Sequence, residues 1–347
     1  MVDVEVVVMT EQLNDKQDVV VVGGGAAGLS GALMLARARR SVVVVDAGEP
    51  RNAPAEAVHG LFAREGTNPA ELLARGRDEV RRYGGHVVSG EVDSVARDGA
   101  GFTVTLAEGR SLRAKRLLVT TGLVDELPAV PGLRSRWGRD VVHCPYCHGW
   151  EVRDRAIGVL ASGPMSVHQA LLFRQWSADV VLFTHDRPAP SPEELEQLTA
   201  RGVGVVDGEV TALEVVDDQL TGVRLADGTV YAREALAVAP RARARGGFLA
   251  GVGLYPVEHP AGVGEHVPAD PTGRTDVPGV WVAGNVTDPM AQVGTAAAAG
   301  ATAGAQINAD LVAEETRLAV AALRDPFSAA SEARLCEQVM GGRRHGL

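Results

Sequence analysis

The stretch VVVVGGGAAGLSGALMLARARRSVVVVD, residues 19–46, decides the fold. Val19–Val22 reads as a fully apolar strand, Leu29–Arg40 as a helix rich in small residues, and Val42–Val45 as a second apolar strand ending at Asp46. Unbroken valine runs suit strands covered on both faces, as in a parallel sheet with helices above and below. Between strand and helix, Gly23, Gly25 and Gly28 spell G-x-G-x-x-G. The first glycine permits a tight turn, the second lets backbone approach a pyrophosphate, and the third brings the helix against the strand. The helix N-terminus adds partial positive charge, and an acid at Asp46 is placed to accept hydrogen bonds from an adenosine ribose. Strand, turn, helix, strand and acid stand in register, which predicts a dinucleotide site. The fingerprint alone does not separate FAD from NAD.

Residues 19–36 carry no charge, a length at the lower bound of a membrane span of roughly 17–25 residues. The glycines within it make a strand and a turn the better reading, so no membrane contact is expected. The first residues, MVDVEVVVMT, lack the basic segment and cleavage site of an export signal. A cytoplasmic protein is expected.

Outward from this unit, residues 69–83 read as a helix, and His86–Val88, Glu91–Ala96, Phe102–Leu106 and Arg116–Gly122 as strands. A second β-α-β unit follows, with strands at Ile157–Leu160 and Val180–Phe183 around a turn at Ala161–Ser166 and a helix at Val167–Trp176. Meandering strands fill 209–239. Gly279–Ala283 is a late strand, followed by a Gly284-Asn285 turn and a helix from Gln292 to Glu314 made almost wholly of Ala, Gly and Thr. The fold class expected is α/β, with two Rossmann-like (three-layer ββα) dinucleotide-binding domains, one inserted in the other.

Composition narrows the function. The 347 residues carry 34 basic and 44 acidic side chains, a net charge of −10, which argues against a nucleic-acid partner. Forty-one glycines exceed the usual ~7%, in keeping with turns that admit a nucleotide. Three cysteines in so long a chain exclude a disulfide scaffold. Two of them form Cys144-Pro145-Tyr146-Cys147, flanked by His143 and His148. A C-x-x-C near a β-α-β unit reads as a redox dithiol, and an adjacent imidazole is suited to accept the thiol proton. Rival readings are weaker. Haem attachment at Cys144–His148 needs export, and four zinc ligands within six residues do not readily wrap one tetrahedral ion. No metal is expected. Cys336 reads as a helix residue without a redox role.

With these features placed, residues 17 to about 315 resemble the low-molecular-weight thioredoxin reductases, FAD-dependent pyridine nucleotide-disulfide oxidoreductases. The segment HCPYCHGWE (143–151), EPRN (49–52) and His59-Gly60 are more like one branch, which includes dithiol oxidases of gliotoxin- and holomycin-type natural products. The resemblance implies an N-terminal extension (1–16) and an FAD-binding domain in two parts (17–131 and 247–315). Between those parts it implies an inserted NAD(P)H-binding-like domain (132–246), and after them a tail (316–347). It implies FAD held by Gly23, Gly25, Ala27, Gly28, Asp46, Ala47, Arg51, Asn52, His59, Thr121, Gly122, Gly284, Asn285, Gln292 and Val293. Thr120-Thr121-Gly122 stands where the family has A-T-G, and Ala283-Gly284-Asn285 where it has A-G-D. It further implies Cys144 as the thiol facing substrate, Cys147 against the flavin, His148 as general base and His143 as its helper.

The second nucleotide turn departs from the family pattern. Of its G-x-G-x-x-A, only Gly163 survives in Ala161–Ser166, and Pro164 removes a backbone N–H. Asp186 stands where basic residues hold the NADPH 2′-phosphate, and Arg187 only partly compensates. NADPH binding is therefore doubtful. The function expected is oxidation of a small-molecule dithiol by O₂ through Cys144 and Cys147. The alternatives are NADPH-dependent reduction of thioredoxin or a small disulfide, and a flavin-binding redox sensor. A homodimer is implied by the family.

Overall fold

The alternating faces of the valine strands organise the first sheet. In the computed structural model, which describes residues 16–325 and, beyond them, 328, 329, 332, 333, 335 and 336, Lys16–Val22 lies between Val42–Asp46 and Ser111–Val119, parallel to both. His86–Ser89 extends one edge beyond Val42–Asp46. The strand Ser111–Val119 serves two partners along its other edge. Phe102–Thr105 pairs antiparallel with its first half, and Val280–Val282 pairs parallel with its last residues. Val92–Asp98 completes the antiparallel flap.

Side chains alternate across the strands, so each valine run feeds two cores. Val20, Val22, Val43 and Val45 pack on the flap with Phe102, Val104 and Leu112. Val19, Val21, Val42 and Val44 pack on helices with Leu35, Trp281 and Ile307. The two helices of that face are Ala26–Arg37 and Val293–Arg324. The first begins straight after Gly25, three residues earlier than its apolar pattern indicates. It ends at Arg37, and Arg39 beyond it takes a left-handed conformation (φ 63°).

The second helix runs past the expected end at Glu314, and the tail expected from residue 316 begins as part of it. Arg116 accounts for its anchorage, bonding Asp310 at 2.6 Å and Glu314 at 2.7 Å. Its small residues also have a use. A methyl group at Gly300 would lie 1.9 Å from the Ala27 carbonyl oxygen, and one at Gly304 would lie 2.7 Å from that of Gly31. The bulk admitted by this Ala/Gly surface is the backbone of the glycine-motif helix.

A second, wholly parallel sheet runs in the order Gly204–Val206, Val180–Phe183, Ile157–Leu160, Ala235–Val238, Val141–Val142. The meander Val210–Val216, Gln219–Leu225, Val230–Ala232 covers part of it. The chain leaves the first sheet through Leu123–Glu126 and returns through Arg241–Ala244, and these two crossings pair antiparallel. The expected α/β architecture holds, with a second Rossmann-like unit set within the first. Among the described residues, no helix is long and apolar enough to cross a membrane.

Candidate active site

The glycine turn separates what the fold needs from what a ligand needs. Gly23 has φ +105°, and a methyl there would sit 2.5 Å from the Thr120 carbonyl oxygen. A methyl at Gly28 would sit 1.9 Å from the Gly23 carbonyl oxygen, so this glycine lets the helix close on the strand. Gly25 is different. Its φ of −77° suits any residue, and among the described residues no atom beyond its chain neighbours and its own helix backbone lies within 4 Å of where its side chain would begin. The space in front of it belongs to a cavity of about 2150 Å³, whose wall includes Gly23–Ala27 and Cys144–Cys147. No side chain among the described residues caps the helix that starts there, and uncapped N–H groups at a helix start suit an anion. A single small-ligand pocket is about 300–1,000 Å³, so this cavity suits a dinucleotide with room beside it. The residues present fit FAD.

The cysteines stand at the start of a short helix, Pro145–His148, with Cys144 as its N-cap residue. The Cys144 carbonyl accepts from the Cys147 N–H at 3.2 Å and the His148 N–H at 3.1 Å. Both thiols are free and half-buried. The Cys147 thiol donates to the Cys144 sulfur. That bond, more than any other influence, lowers the Cys144 pKa to about 6 and pushes the Cys147 thiol well up. Gln292 Nε2 approaches Cys144 Sγ at 3.9 Å from the start of the C-terminal helix. Tyr146 turns away to meet Trp176 edge-on at 5.9 Å. Burial, with Arg51 beside it, holds His143 down to about 4. Burial also lowers His148, against the opposing pull of Glu151, and its buried Nδ1 has no hydrogen-bond partner among the described residues.

The remaining expected residues gather around the same cavity, several with their polar groups already engaged. Ala47, Arg51, Asn52, His59, Thr121, Gly122, Gly284, Asn285, Gln292 and Val293 all line it, whereas Gly28 lies behind the turn. Asp46 Oδ1 accepts from Gly24 N and Gly48 N, both at 3.2 Å, so one oxygen braces the turn. Arg51 grips Asp125 with two 2.8 Å bonds. Thr121 Oγ1 donates to the Arg245 carbonyl at 2.6 Å, tying the two crossings together. The Asn285 amide donates to the carbonyls of Asp288 (3.0 Å), Pro289 (3.4 Å) and Ala291 (2.9 Å). An aspartate there has no donor for those three oxygens, which gives a physical reason for asparagine. His59 faces two carboxylates, Glu65 Oε1 at 2.6 Å from Nδ1 and Glu151 Oε1 at 3.5 Å from Nε2. Sequence reasoning missed Asp125, Glu65, Glu151 and Gln169, whose Nε2 donates to the His143 carbonyl at 2.7 Å.

The pyridine nucleotide-disulphide oxidoreductase family model matches residues 17–303. The chain belongs to this family. Thioredoxin reductase tcpT of Claviceps purpurea is 30% identical over 308 residues, covering 86% of this chain and 95% of that protein. Thioredoxin reductase sirT of Leptosphaeria maculans is 30% identical over 309 residues, covering 84% and 93%. Among solved structures, HlmI is 47% identical with a TM-score of 0.83, covering 89% of this chain and 97% of HlmI. The chain is thus a thioredoxin reductase-like, FAD-dependent thiol/disulfide oxidoreductase.

In this oxidoreductase the second glycine-bearing turn, which lines the same cavity, is bonded internally by its own serine. Ser166 Oγ accepts from Ser162 N at 3.1 Å and Gly163 N at 3.3 Å, and itself donates to the Gly163 carbonyl at 2.8 Å. The Ser162 hydroxyl is tied to the Ala239 carbonyl at 2.6 Å. Pro164 has no N–H to offer. At the end of the next strand, His185 Nδ1 accepts from Val210 N at 3.1 Å, and Arg187 lies 3.3 Å from Asp186.

Proposed function

We propose that this oxidoreductase closes disulfides in small-molecule dithiols, with electrons passing to O₂ rather than arriving from NADPH. The observation that supports this most is the Ser166 hydroxyl, which takes the two backbone N–H groups a pyrophosphate needs. Both turns line the cavity beside the cysteines, but the helix after the first glycine turn has no side-chain cap on its N–H groups among the described residues.

In this reading the cycle starts from a Cys144–Cys147 disulfide. A substrate thiolate attacks Cys144 Sγ, forming a mixed disulfide and releasing Cys147 with the bonding electron pair. The second substrate thiolate then attacks its sulfur partner, closes the substrate disulfide and expels Cys144. A pKa of about 6 makes Cys144 a good leaving group. His148, kept neutral at pH 7 by burial, takes a substrate proton. His143 also stays neutral and is the weaker base. The chemistry supplied by bound FAD is two-electron transfer from the reduced cysteines onward to O₂, which leaves as H₂O₂. Gly25, the uncapped helix start, Asp46 and the Gly284-Asn285 turn would hold it.

The rival reading is NADPH-dependent reduction of thioredoxin or a small disulfide, and the names of the relatives favour it. Anaerobic titration of the yellow holoenzyme separates the two. Bleaching by dithiothreitol, reversed by air, with no bleaching by NADPH, is expected. Rapid bleaching by NADPH would sink the oxidase reading.

A further inference from the structure

The dithiol site has a charged outer edge, formed by Glu151, His59 and Glu65. The backbone continues helically past the C-x-x-C helix, with Val152 N donating to the His148 carbonyl at 3.3 Å. Residues 148 and 151 therefore share one side of the turn, as i, i+3 neighbours do. Glu151 is met from a separate segment by His59, 3.5 Å away. His59 is itself fixed by Glu65, whose second oxygen accepts from Gly60 N at 2.8 Å. The loop from Val58 to Thr67 is closed at its base by a backbone bond of 2.8 Å. A carboxylate–imidazole–carboxylate chain thus joins this loop to the cysteine turn.

We propose that Glu151 is a positioning residue that supports the protonated form of His148, and that His59, clamped by Glu65, holds Glu151 in place. The proposal rests on His148 acting as the base. The charged and titratable groups facing His148 are Glu151 on its own turn, His59 from the loop and His143 from the preceding segment. Cys144 and Cys147 share its helix, and Arg51 and Asp125 lie behind His143. Glu151, one turn on from His148, favours its protonated form, whereas charge on His59 opposes it, so His59 serves by holding Glu151 in place. An imidazole that accepts a proton in a half-buried site needs a nearby negative charge, or the proton returns to the thiol.

The test is a proton titration of His148 in holoenzyme labelled with ¹³C-histidine, the resonance being assigned by its loss in H148N. In E151Q the His148 midpoint moves to lower pH by about half a unit or more, and E151D recovers most of the shift. In the H59Q background the same E151Q substitution moves the midpoint less, by about half as much. The acid limb of dithiothreitol-driven bleaching in E151Q moves to lower pH with the titration, and its plateau falls several-fold. An unmoved midpoint in E151Q overturns the role of Glu151. Equal shifts in both backgrounds overturn the role of His59. The titration decides these points even if wild-type flavin is not bleached by dithiol, a result that removes the oxidase reading instead.

Discussion

Gly25 and Gly28 belong to one motif yet predict different outcomes for the same substitution. Gly28→Ala forces a methyl to 1.9 Å from backbone, so the helix must move off the strand, at a cost of about 1–3 kcal/mol or more. Gly25→Ala meets no described atom beyond its chain neighbours and has an ordinary φ, so the apoprotein loses no more than the about 1 kcal/mol by which alanine is the poorer N-cap residue. Its methyl instead enters the space of the cofactor, and flavin content falls. Apoprotein Tm and the flavin-to-protein ratio check both, and a G25A protein that keeps full flavin refutes the assignment. The motif was legible in the sequence because the turn that needs its glycines is local, although Gly23 also answers to Thr120 on a distant strand. Arg51 and Thr121 were recognised as site residues, but their partners lie 74 and 124 positions on, where no spacing rule reaches. The same holds for His59 and Glu151, which only the fold brings together.

At the scale of elements, both β-α-β units were readable from their valine and isoleucine strands, and the loss of glycines from the second turn was visible too. What replaces the phosphate was not. Ser166 is an ordinary helix-start residue in sequence, and only its position three residues past Gly163 in a folded turn makes it a plug. Ser166→Ala removes that plug and leaves two N–H groups unpaired, at a cost of about 1 kcal/mol in stability. Adding Pro164→Gly restores a third N–H. The double variant is expected to bind NADPH measurably, seen as a change in nucleotide fluorescence, where the wild type does not. If wild type and double variant bind NADPH equally, the hydroxyl is no barrier. The C-terminal helix shows the converse limit of sequence reading. Its alanine-rich composition forecast a helix but not its end, because Arg116, buried in the first sheet, sets the anchorage at Asp310 and Glu314.

For the whole molecule, the dithiol site makes stability depend on pH in a defined window. His143 directly follows Val141–Val142, an edge strand of the second sheet, next to the Arg51–Asp125 pair that ties the loop after Val42–Asp46 to the first crossing segment. Its pKa is about 4 in the folded protein, against about 6.5 for an unperturbed histidine. Between these values the unfolded chain binds one proton more than the folded one, so stability rises with pH. The contribution is complete above pH 6.5 and is lost as pH falls toward 4. His148 is lowered in the same direction and adds to the slope. The depressed carboxylates Asp18, Asp140 and Glu315 lose their contributions only below this window, as pH falls past the usual carboxylate range. Denaturant unfolding of the holoenzyme at pH 7 and pH 5 therefore shows a drop, of which His143 supplies about 1–2 kcal/mol. In H143Q that part of the drop disappears, because glutamine takes up no proton in either state. A drop of the same size in H143Q means that the acid sensitivity lies elsewhere than at His143.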